Sequence, residues 1–415
     1  VFDYIFLGKG EAEAVSKTSG LGTELLGEMR KEFLYWYPFD LRVSAKELVP
    51  NHLTFCIFHH AALFPPKHWP RAIGVNGMLM IEGKQMHKSK GNFITMKGAV
   101  ERYGADAARC ALLLGAEAMD DPDWRSENAA DVQGKLESLL GFADDILAKA
   151  RVAEDASLER WLLSRMQRRI GEVTAALEEL KTRTALQVAL FEVWNDIRWY
   201  IQRKGKAEAL AVREALLVWL RLLAPFAPHI CEELWSHTGE KGFISVAQWP
   251  KVDESKVDVA AEEEENLVTD LVEDTLNILR ATKITPKRAC YYTASSWKWQ
   301  VYLKALEKAA AGEAKINEVM KELAADSNMR LYMKEAAALV PRLIKTLTKV
   351  PNERKVNMLK IQTINEKEVI ADACDFLKER FNAEIEVYSE DDKERYDPKN
   401  RAAFAVPYQP AIYIE

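Results

Sequence analysis

The stretch from residue 126 to about 240 constrains the fold most, because its apolar residues recur at helical spacing almost without interruption. One series falls three and four positions apart across residues 158–170, another does so across 186–197, and a third continues until Pro225 and Pro228 interrupt it. Such spacing is typical of helices that bury one face. The pattern predicts an antiparallel helical bundle in the middle of the chain.

Residues 1–125 carry a mixed pattern. Leu53–Leu63 is strongly apolar and long enough to predict a buried helix. The length of Ile73–Ile81 and its flanking glycines predict a buried strand that ends in a loop at Glu82 and Gly83. This part of the chain is therefore predicted to be α/β.

Residues 253–415 return to an α/β pattern. Short apolar or alternating segments predict strands at Ala289–Thr293, Ile385–Tyr388 and Ile412–Ile414, and helices are predicted over about 297–323 and 331–349. The acidic run Glu262–Glu265 predicts a solvent-exposed connection that leads into a helix N-terminus. The fold class is therefore multidomain, α/β plus all-α.

Composition limits the classes of partner. Lys and Arg number 57 against 63 Asp and Glu, a net charge of -6, so any nucleic acid must be held by a local basic patch. The five cysteines are scattered with no C-x-x-C pair, which favours reduced thiols in the cytoplasm and argues against a zinc ribbon. No apolar run of about eighteen residues occurs, so we predict no membrane span.

A lysine-rich loop follows the predicted strand. Four lysines and no carboxylate lie between Gly83 and Val100. The carboxyl ends of strands in α/β sheets are where ligands bind. Ser89, Gly91 and Asn92 add a hydroxyl, a flexible backbone and amide donors, so the loop is suited to surround a polyphosphate. The alternative is a solvated lysine-rich turn without a ligand.

The order of residues in the loop resembles a known motif. Met86–Asn92 resembles the M-S-K-S-K-G-N stretch that contains the KMSKS loop of class I aminoacyl-tRNA synthetases, with the five motif positions at Gln85–Ser89. Tyr35–Phe55 and Trp69–Gly77 are similar to catalytic-domain segments of archaeal- and eukaryotic-type leucyl-tRNA synthetases. Tyr103–Arg109 resembles the helix that follows their loop.

The helical part carries motifs of the same family. Leu223–His229, Glu232–Trp235 and Gln248–Pro250 resemble its anticodon-binding bundle, and Pro410–Glu415 resembles the C-terminus of the archaeal members. The resemblance implies the C-terminal portion of such an enzyme. It places a partial Rossmann-like catalytic core at 1–125, a helical anticodon-binding bundle at 126–252, and a linker with a small α/β tRNA-binding domain at 253–415.

The implied activity is activation of leucine by ATP with Mg²⁺, followed by transfer of the leucyl group to leucine tRNA in protein biosynthesis. Lys88, the second lysine of the motif, would stabilise charge on the leaving pyrophosphate. An ammonium group there acts more strongly in the transition state than in the ground state. Met86, His87 and Ser89 would line the loop that closes on ATP.

Two further residues fall on family positions near the ribose. Glu47 lies where the family's acid approaches the ribose hydroxyls, and His52 lies on the histidine five residues further along. The alternatives are an ordinary acid at a helix start and an interior histidine. The chain also departs from the pattern, because Gln85 replaces the first lysine, His87 replaces a serine, and Ala45 replaces the glycine before the acid.

The residues contain no H-x-G-H string, which the family uses in the first half of its active site. Three explanations stay open: a longer protein that was cut, a separate N-terminal subunit that carries the HIGH motif and the editing domain, or a non-catalytic tRNA-binding relative. His52, His59 and His60 lack a complementary ligand set, so no structural metal is predicted.

Seven residues in the later domains are candidates for contact with tRNA. They are Arg198 and Arg203 in the bundle, Arg342, Lys345 and Lys349 on one predicted helical face, and Ile414 and Glu415 at the end of the chain. The alternative for Trp194 and Trp199 beside the first pair is a place in the bundle core. The alternative for the basic face is solvent exposure, and only the resemblance assigns the last two residues, to the long variable arm.

Overall fold

The structure is a computed structural model, in which residues 1–86, 91–149, 152, 156–205, 209–313 and 315–415 are described. The chain separates into two compact units. The first unit comprises Val1–Asp144, Gly171–Glu192 and Trp219–Trp249. The second unit comprises Asp145–Ile170, Val193–Val218 and Pro250–Glu415, so the long helices in the middle of the chain contribute to both.

The first part of the chain combines helices with short strands. The helices are α1 (Ala12–Ser19), α2 (Thr23–Trp36), α3 (Thr54–Leu63), α4 (Met96–Tyr103) and α5 (Ala105–Gly115). The strands are β1 (Arg42–Ala45), β2 (Ile73–Asn76), β3 (Met80–Ile81), β4 (Lys84–Gln85) and β5 (Asp123–Trp124).

These strands form two small sheets. β1 and β2 are parallel, with Ser44 opposite Val75 and α3 between them in the sequence. β3 pairs antiparallel with β4 and parallel with β5. The prediction of one buried strand across 73–81 is therefore wrong in detail, because β2 and β3 are separate, half-buried strands in different sheets.

Gly77 lies at the break between β2 and β3. A Cβ atom added to this residue would lie 2.0 Å from the backbone oxygen of Asp120. The chain therefore passes too close to the loop before β5 for any side chain other than hydrogen, which is one reason that glycine is found at such approaches.

The prediction for Leu53–Leu63 is confirmed in type and wrong in burial. α3 is a helix, but none of its residues is buried, and the side chains of Phe55 and Phe58 are 61% and 67% exposed. Tyr35 and Trp36, at the end of α2, are exposed as well. An apolar pattern indicates that a helix face packs against other protein, but the pattern does not identify which protein segment covers that face.

Helices dominate the middle of the chain, as the apolar spacing predicts. They are α6 (Ser126–Lys149), α7 (Ser157–Glu178), α8 (Thr182–Gln187), α9 (Val193–Lys204), α10 (Leu210–Leu223) and α11 (Pro228–His237). Within the first unit, the fully buried Trp219 donates from Nε1 to the carbonyl of Ala189 at 2.6 Å, which satisfies its polar atom in an apolar core.

The last part of the chain has a three-stranded sheet covered by helices. Its strands are β6 (Arg288–Thr293), β7 (Glu384–Ser389) and β8 (Ala411–Ile414), in the order β7-β6-β8. β6 is parallel to β7 and antiparallel to β8, with Tyr291 opposite Val387 on one side and Ile412 on the other. All three predicted strands are confirmed.

The helices of this part are α12 (Val259–Thr282), α13 (Ser296–Ala310), α14 (Ile316–Ala325), α15 (Met333–Leu347), α16 (Asn352–Ile361), α17 (Glu366–Asp372) and α18 (Cys374–Phe381). The single helix predicted over 297–323 is two helices, because the chain turns at Gly312, whose φ of 76° suits glycine. No helix among the described residues is long and apolar enough to cross a membrane.

The acidic run of α12 is not the solvent-exposed connection that the sequence predicts. Glu262, Glu263 and Glu265 are buried within the helix. The guanidinium groups of Arg168, Arg354 and Arg203, respectively, pair with them at 2.6, 2.7 and 2.8 Å. The prediction failed because charge runs are usually solvated, whereas each of these three carboxylates pairs with an arginine from a distant part of the chain.

Candidate nucleotide and tRNA-binding sites

The β3–β4 hairpin carries the predicted nucleotide loop. Glu82 and Gly83 both have positive φ, 48° and 74°, as a two-residue hairpin turn requires. The N–H of Gly83 donates to Oδ1 of Asp123 at 2.8 Å, which ties the turn to β5. This hydrogen bond, and then Arg125, hold the pKa of Asp123 below its ordinary value.

The two ends of the loop are held together beyond the hairpin. Nδ2 of Asn92 donates to the backbone oxygen of Gln85 at 2.8 Å, so the chain returns to β4 after six residues of loop. Met86 follows β4 directly and is 41% exposed. His87, Lys88, Ser89 and Lys90 lie outside the described residues, and their predicted roles stay predictions.

Glu47 lies just beyond the carboxyl end of β1, in a short 3₁₀ turn (Lys46–Leu48). The neighbouring strand β2 ends at the same edge, since Ala45 is opposite Asn76. Glu47 is exposed, and among the described residues its carboxylate has no hydrogen bond or ion pair. Its position at the carboxyl edge of a parallel sheet is compatible with the predicted contact to a ribose.

His52 is oriented by a neighbour on β1. Nη2 of Arg42 lies 2.7 Å from Nε2 of His52. Because a guanidinium group can only donate, Nε2 is the acceptor in this contact. The imidazole is exposed, so the alternative of an interior histidine is wrong, but its Nε2 is already engaged.

One ion pair beside this edge was not predicted from the sequence. Nζ of Lys46 lies 2.5 Å from Oδ1 of Asp121, and the same oxygen accepts from the N–H of Met78 at 2.7 Å. Lys46 and then this N–H hold the pKa of Asp121 below its ordinary value. The pair joins the turn after β1 to the segment before β5, and only the cluster of acids at 120–123 hinted at it.

The predicted basic face is only partly helical, because Arg342 and Lys345 lie in α15 whereas Lys349 lies in the turn after the helix ends at Leu347. Arg342, Lys345 and Lys349 are exposed, whereas Leu339, Leu343 and Leu347 are buried. Within the described part of the chain none of the three cations forms an ion pair. They are therefore available to phosphate groups.

The two candidate arginines of α9 differ. Arg198 is exposed. Arg203 has a side chain only 8% exposed, and its Nε lies 2.8 Å from Oε1 of Glu265. The same oxygen accepts from Nε1 of Trp199 at 2.6 Å. Arg203 and Trp199 thus share a buried carboxylate, which favours the core alternative for the aromatic residues.

The last two residues belong to the sheet. Ile414 is opposite Ala289, and the backbone oxygen of Glu415 accepts from the N–H of Arg288 at 3.0 Å. The Glu415 carboxylate accepts from the Tyr396 hydroxyl at 3.0 Å. Across the described ranges, no group of three or more His, Cys, Asp or Glu side chains is placed to hold a metal ion.

Two sequence families match parts of the chain. The family described as tRNA synthetases class I (M) matches residues 27–138, and the anticodon-binding domain of tRNA ligase matches residues 159–291. The first match contains the hairpin and its loop, and the second contains most of the middle helices. Both are families of tRNA ligases, and the first is of class I.

The curated relatives point to one kind of tRNA ligase, the leucine–tRNA ligases. Leucine–tRNA ligase from Methanococcoides burtonii is 40% identical over 421 residues, covering 100% of this chain and 43% of that protein. The enzymes from Methanothrix thermoacetophila and Pyrococcus abyssi are 41% and 40% identical, also over the whole chain. The chain is a homologue of archaeal leucine–tRNA ligases, as predicted, and spans about 43% of the length of the relatives that it matches.

Among solved structures, a chain of the ternary complex of Agrobacterium radiobacter K84 LeuRS with tRNA and LeuAMS aligns with 62% of this chain and 31% of its own length. The TM-score is 0.47 and the sequence identity is 22%.

Proposed function

We propose that this chain supplies the KMSKS half of the active site and the tRNA-binding domains of a leucine–tRNA ligase. The observation that carries the proposal is the full-length similarity to archaeal members at about 40% identity. The substrates are then leucine, ATP with Mg²⁺ and leucine tRNA, and the location is the cytoplasm, where protein synthesis takes place.

The hairpin supports a role in ATP binding. It presents the loop directly after β4, with the hairpin turn held by Asp123 and the end of the loop joined to β4 by the hydrogen bond from Asn92 to Gln85. A positioned cationic loop lowers the barrier to pyrophosphate departure because its charge is in place before charge develops on the phosphates. In this proposal Lys88 is the catalytic residue, and Met86, His87 and Ser89 contact the nucleotide.

The exposed apolar surface of α2 and α3 supports the presence of a further part of the catalytic domain. Tyr35, Trp36, Phe55 and Phe58 are between 61% and 77% exposed. Side chains of this kind are usually covered by protein. We propose that the N-terminal portion of the enzyme, either on the same polypeptide or as a separate subunit, covers them and completes a Rossmann-like core.

ATP–pyrophosphate exchange with leucine tests the catalytic part. The chain is assayed alone and together with a polypeptide corresponding to the rest of the relatives' length. We expect no exchange by the chain alone, exchange in the mixture, and a loss of about 100-fold or more in the mixture with Lys88→Ala, since one charge-stabilising donor contributes that much in other active sites.

Lys97→Ala is the matched control. This exposed lysine lies in α4 and pairs with Glu101 at 3.7 Å, outside the loop. Full exchange activity of the Lys88→Ala mixture would contradict the role of Lys88. No exchange in either mixture would favour the second candidate, a non-catalytic tRNA-binding protein, for which the replacement of motif residues by Gln85 and His87 is the specific support.

A further inference from the structure

The three-stranded sheet of the second unit has an open edge at β8. In the order β7-β6-β8, the strand β8 has a neighbour on one side only. Arg288 and Glu415 form a hydrogen-bonded pair, because the N–H of each donates to the backbone oxygen of the other at 3.0 Å. Such pairs alternate along an antiparallel ladder, so the main-chain groups of Ile412 and Ile414 point away from β6. In the part of the chain that the structure describes, their N–H groups donate to no other residue.

A groove runs beside this edge and encloses about 500 Å³. Ala411 and Ile412 of β8 line it, the C-terminal part of α12 forms one wall, and the segment 401–406 contributes to the other. An edge strand that lies beside a helix can accept an extended peptide as an additional strand. The main-chain groups of the edge then supply hydrogen bonds, and the walls contact alternate side chains of the peptide.

The groove carries positive charge. Arg342 of α15 and Arg401 line it, and both residues are exposed. Across the described ranges, neither guanidinium group forms an ion pair. Asp274 is the carboxylate among the described lining residues, so two cations stand against one anion. The groove is therefore complementary to an acidic ligand.

The two arginines come from elements on opposite faces of the sheet. The helix α15 packs on the face that carries Tyr291, whereas Ala402 packs on the face that carries Tyr292. Apolar surface accompanies each arginine, since Ile278 and Phe404 also line the groove and the side chain of Phe404 is 59% exposed. A strand added to β8 would direct successive side chains to the two faces. A segment with acidic and apolar residues on both faces therefore fits this edge.

We propose that the edge of β8 binds an extended acidic segment of another protein as a fourth strand of the sheet. The N–H groups of Ile412 and Ile414 donate to backbone carbonyls of the segment. Arg342 and Arg401 contact its carboxylates, and its apolar side chains pack on Phe404. The unpaired main-chain row favours a protein over RNA, because it is a template for another strand.

Peptides with methylated amides test the strand pairing without altering the protein. The 415-residue chain is titrated with a fluorescein-labelled octapeptide made of two repeats of two glutamates and two valines, and binding is followed by fluorescence anisotropy. Alternate N–H groups of a paired strand point to the same neighbour. Methylation of one alternate set of amides should therefore weaken binding by about tenfold or more, whereas methylation of the other set should change it by less than about twofold.

Substitutions of the arginines test the charge complementarity. For Arg342→Gln and for Arg401→Gln we expect the peptide to bind about fivefold more weakly. A peptide with glutamine in place of glutamate should not distinguish these variants from the wild type. Arg380→Gln is the matched control, because Arg380 is exposed in α18 of the same unit and does not line the groove. Circular dichroism spectra show whether each variant is folded.

Binding that depends on which amides are methylated and on both arginines supports the proposal. Equal binding of the two methylated peptides would overturn it, since a charged patch alone does not distinguish them. No binding of the peptide below about 1 mM would also overturn it. Binding of a leucine tRNA transcript that Arg401→Gln weakens would then assign the groove to RNA, and a dimer that Arg401→Gln strengthens would assign it to a second copy of the chain. None of these measurements uses ATP–pyrophosphate exchange, so the proposed function is tested separately.

Discussion

Replacing Arg203 by Met discriminates between a buried structural role and a role in RNA binding. The guanidinium group pairs with Glu265 at 2.8 and 3.3 Å, both side chains are 8% exposed, and the charge lies 5.3 Å from the ring centre of Phe376. Met preserves most of the aliphatic stem and removes the charge. The carboxylate of Glu265 is then left buried without its counter-ion.

The expected magnitude follows from this burial. Breaking a buried ion pair by removing one partner costs about 3–5 kcal/mol, because the remaining charge keeps its desolvation penalty. Burial already raises the pKa of Glu265, and Arg203 is the first influence that opposes the rise. Without Arg203 the carboxyl group protonates more readily in the folded state, so the loss of stability should shrink as the pH falls.

Urea unfolding followed by circular dichroism measures the effect. A second variant, Arg203→Met with Glu265→Gln, removes the uncompensated charge and retains an acceptor for Trp199, so it should recover about half of the lost stability or more. Arg198→Met on the same helix is the control, and it should change stability by less than about 0.5 kcal/mol because Arg198 is exposed.

The reasoning would be refuted by an Arg203→Met chain that unfolds within about 1 kcal/mol of the wild type but binds leucine tRNA more weakly. Arg203 would then act on RNA and the buried pair would contribute little. Loss of stability together with unchanged RNA binding by the folded fraction supports the structural role.

Two further substitutions probe backbone approach and a buried acid. Gly77→Ala should destabilise the first unit by about 1–3 kcal/mol in thermal unfolding, since its Cβ would lie 2.0 Å from a backbone oxygen. The control is Gly134→Ala, which is exposed in α6 with nothing near its Cβ and should be neutral or stabilise by up to about 1 kcal/mol. Equal effects of the two substitutions would contradict the close approach at Gly77. Burial raises the pKa of Glu366 to about 7, although the N–H groups of Tyr408 and Ala294 oppose the rise. A carboxyl pKa that is higher in the folded state gives stability that is present below the unfolded value of 4.5 and lost as the pH rises through about 7, here about 3 kcal/mol in all. Urea midpoints from pH 4 to about 8 should show this decline, and Glu366→Gln should flatten it; an equally steep decline in the variant would assign it to other groups.

The local spacing of apolar residues predicted the helices and strands that form regardless of what they pack against. The strands β6, β7 and β8 and the helices between residues 126 and 240 follow from alternation and helical spacing, which each segment carries by itself. The exposure of α3 and the burial of the acidic run do not follow from these local patterns. The arginine partners of Glu262, Glu263 and Glu265 lie 94, 91 and 62 positions away in the sequence.

The same distinction holds for the candidate sites, where contacts between consecutive residues were predicted and contacts between distant residues were not. The loop after β4 was found because its residues are consecutive and resemble a family motif. The contact of Lys46 with Asp121 and that of Asp106 with His229 join positions that are distant in the chain, the latter 123 residues apart. No spacing rule relates such positions, so only the folded chain brings them together.

The exposed aromatic side chains of α2 and α3 affect how this polypeptide behaves during purification. A chain that displays Tyr35, Trp36, Phe55 and Phe58 to water is expected to adhere to hydrophobic resins and to self-associate as its concentration rises. Co-expression with the proposed N-terminal portion should suppress this self-association, so the yield of monodisperse material measures whether the two portions associate.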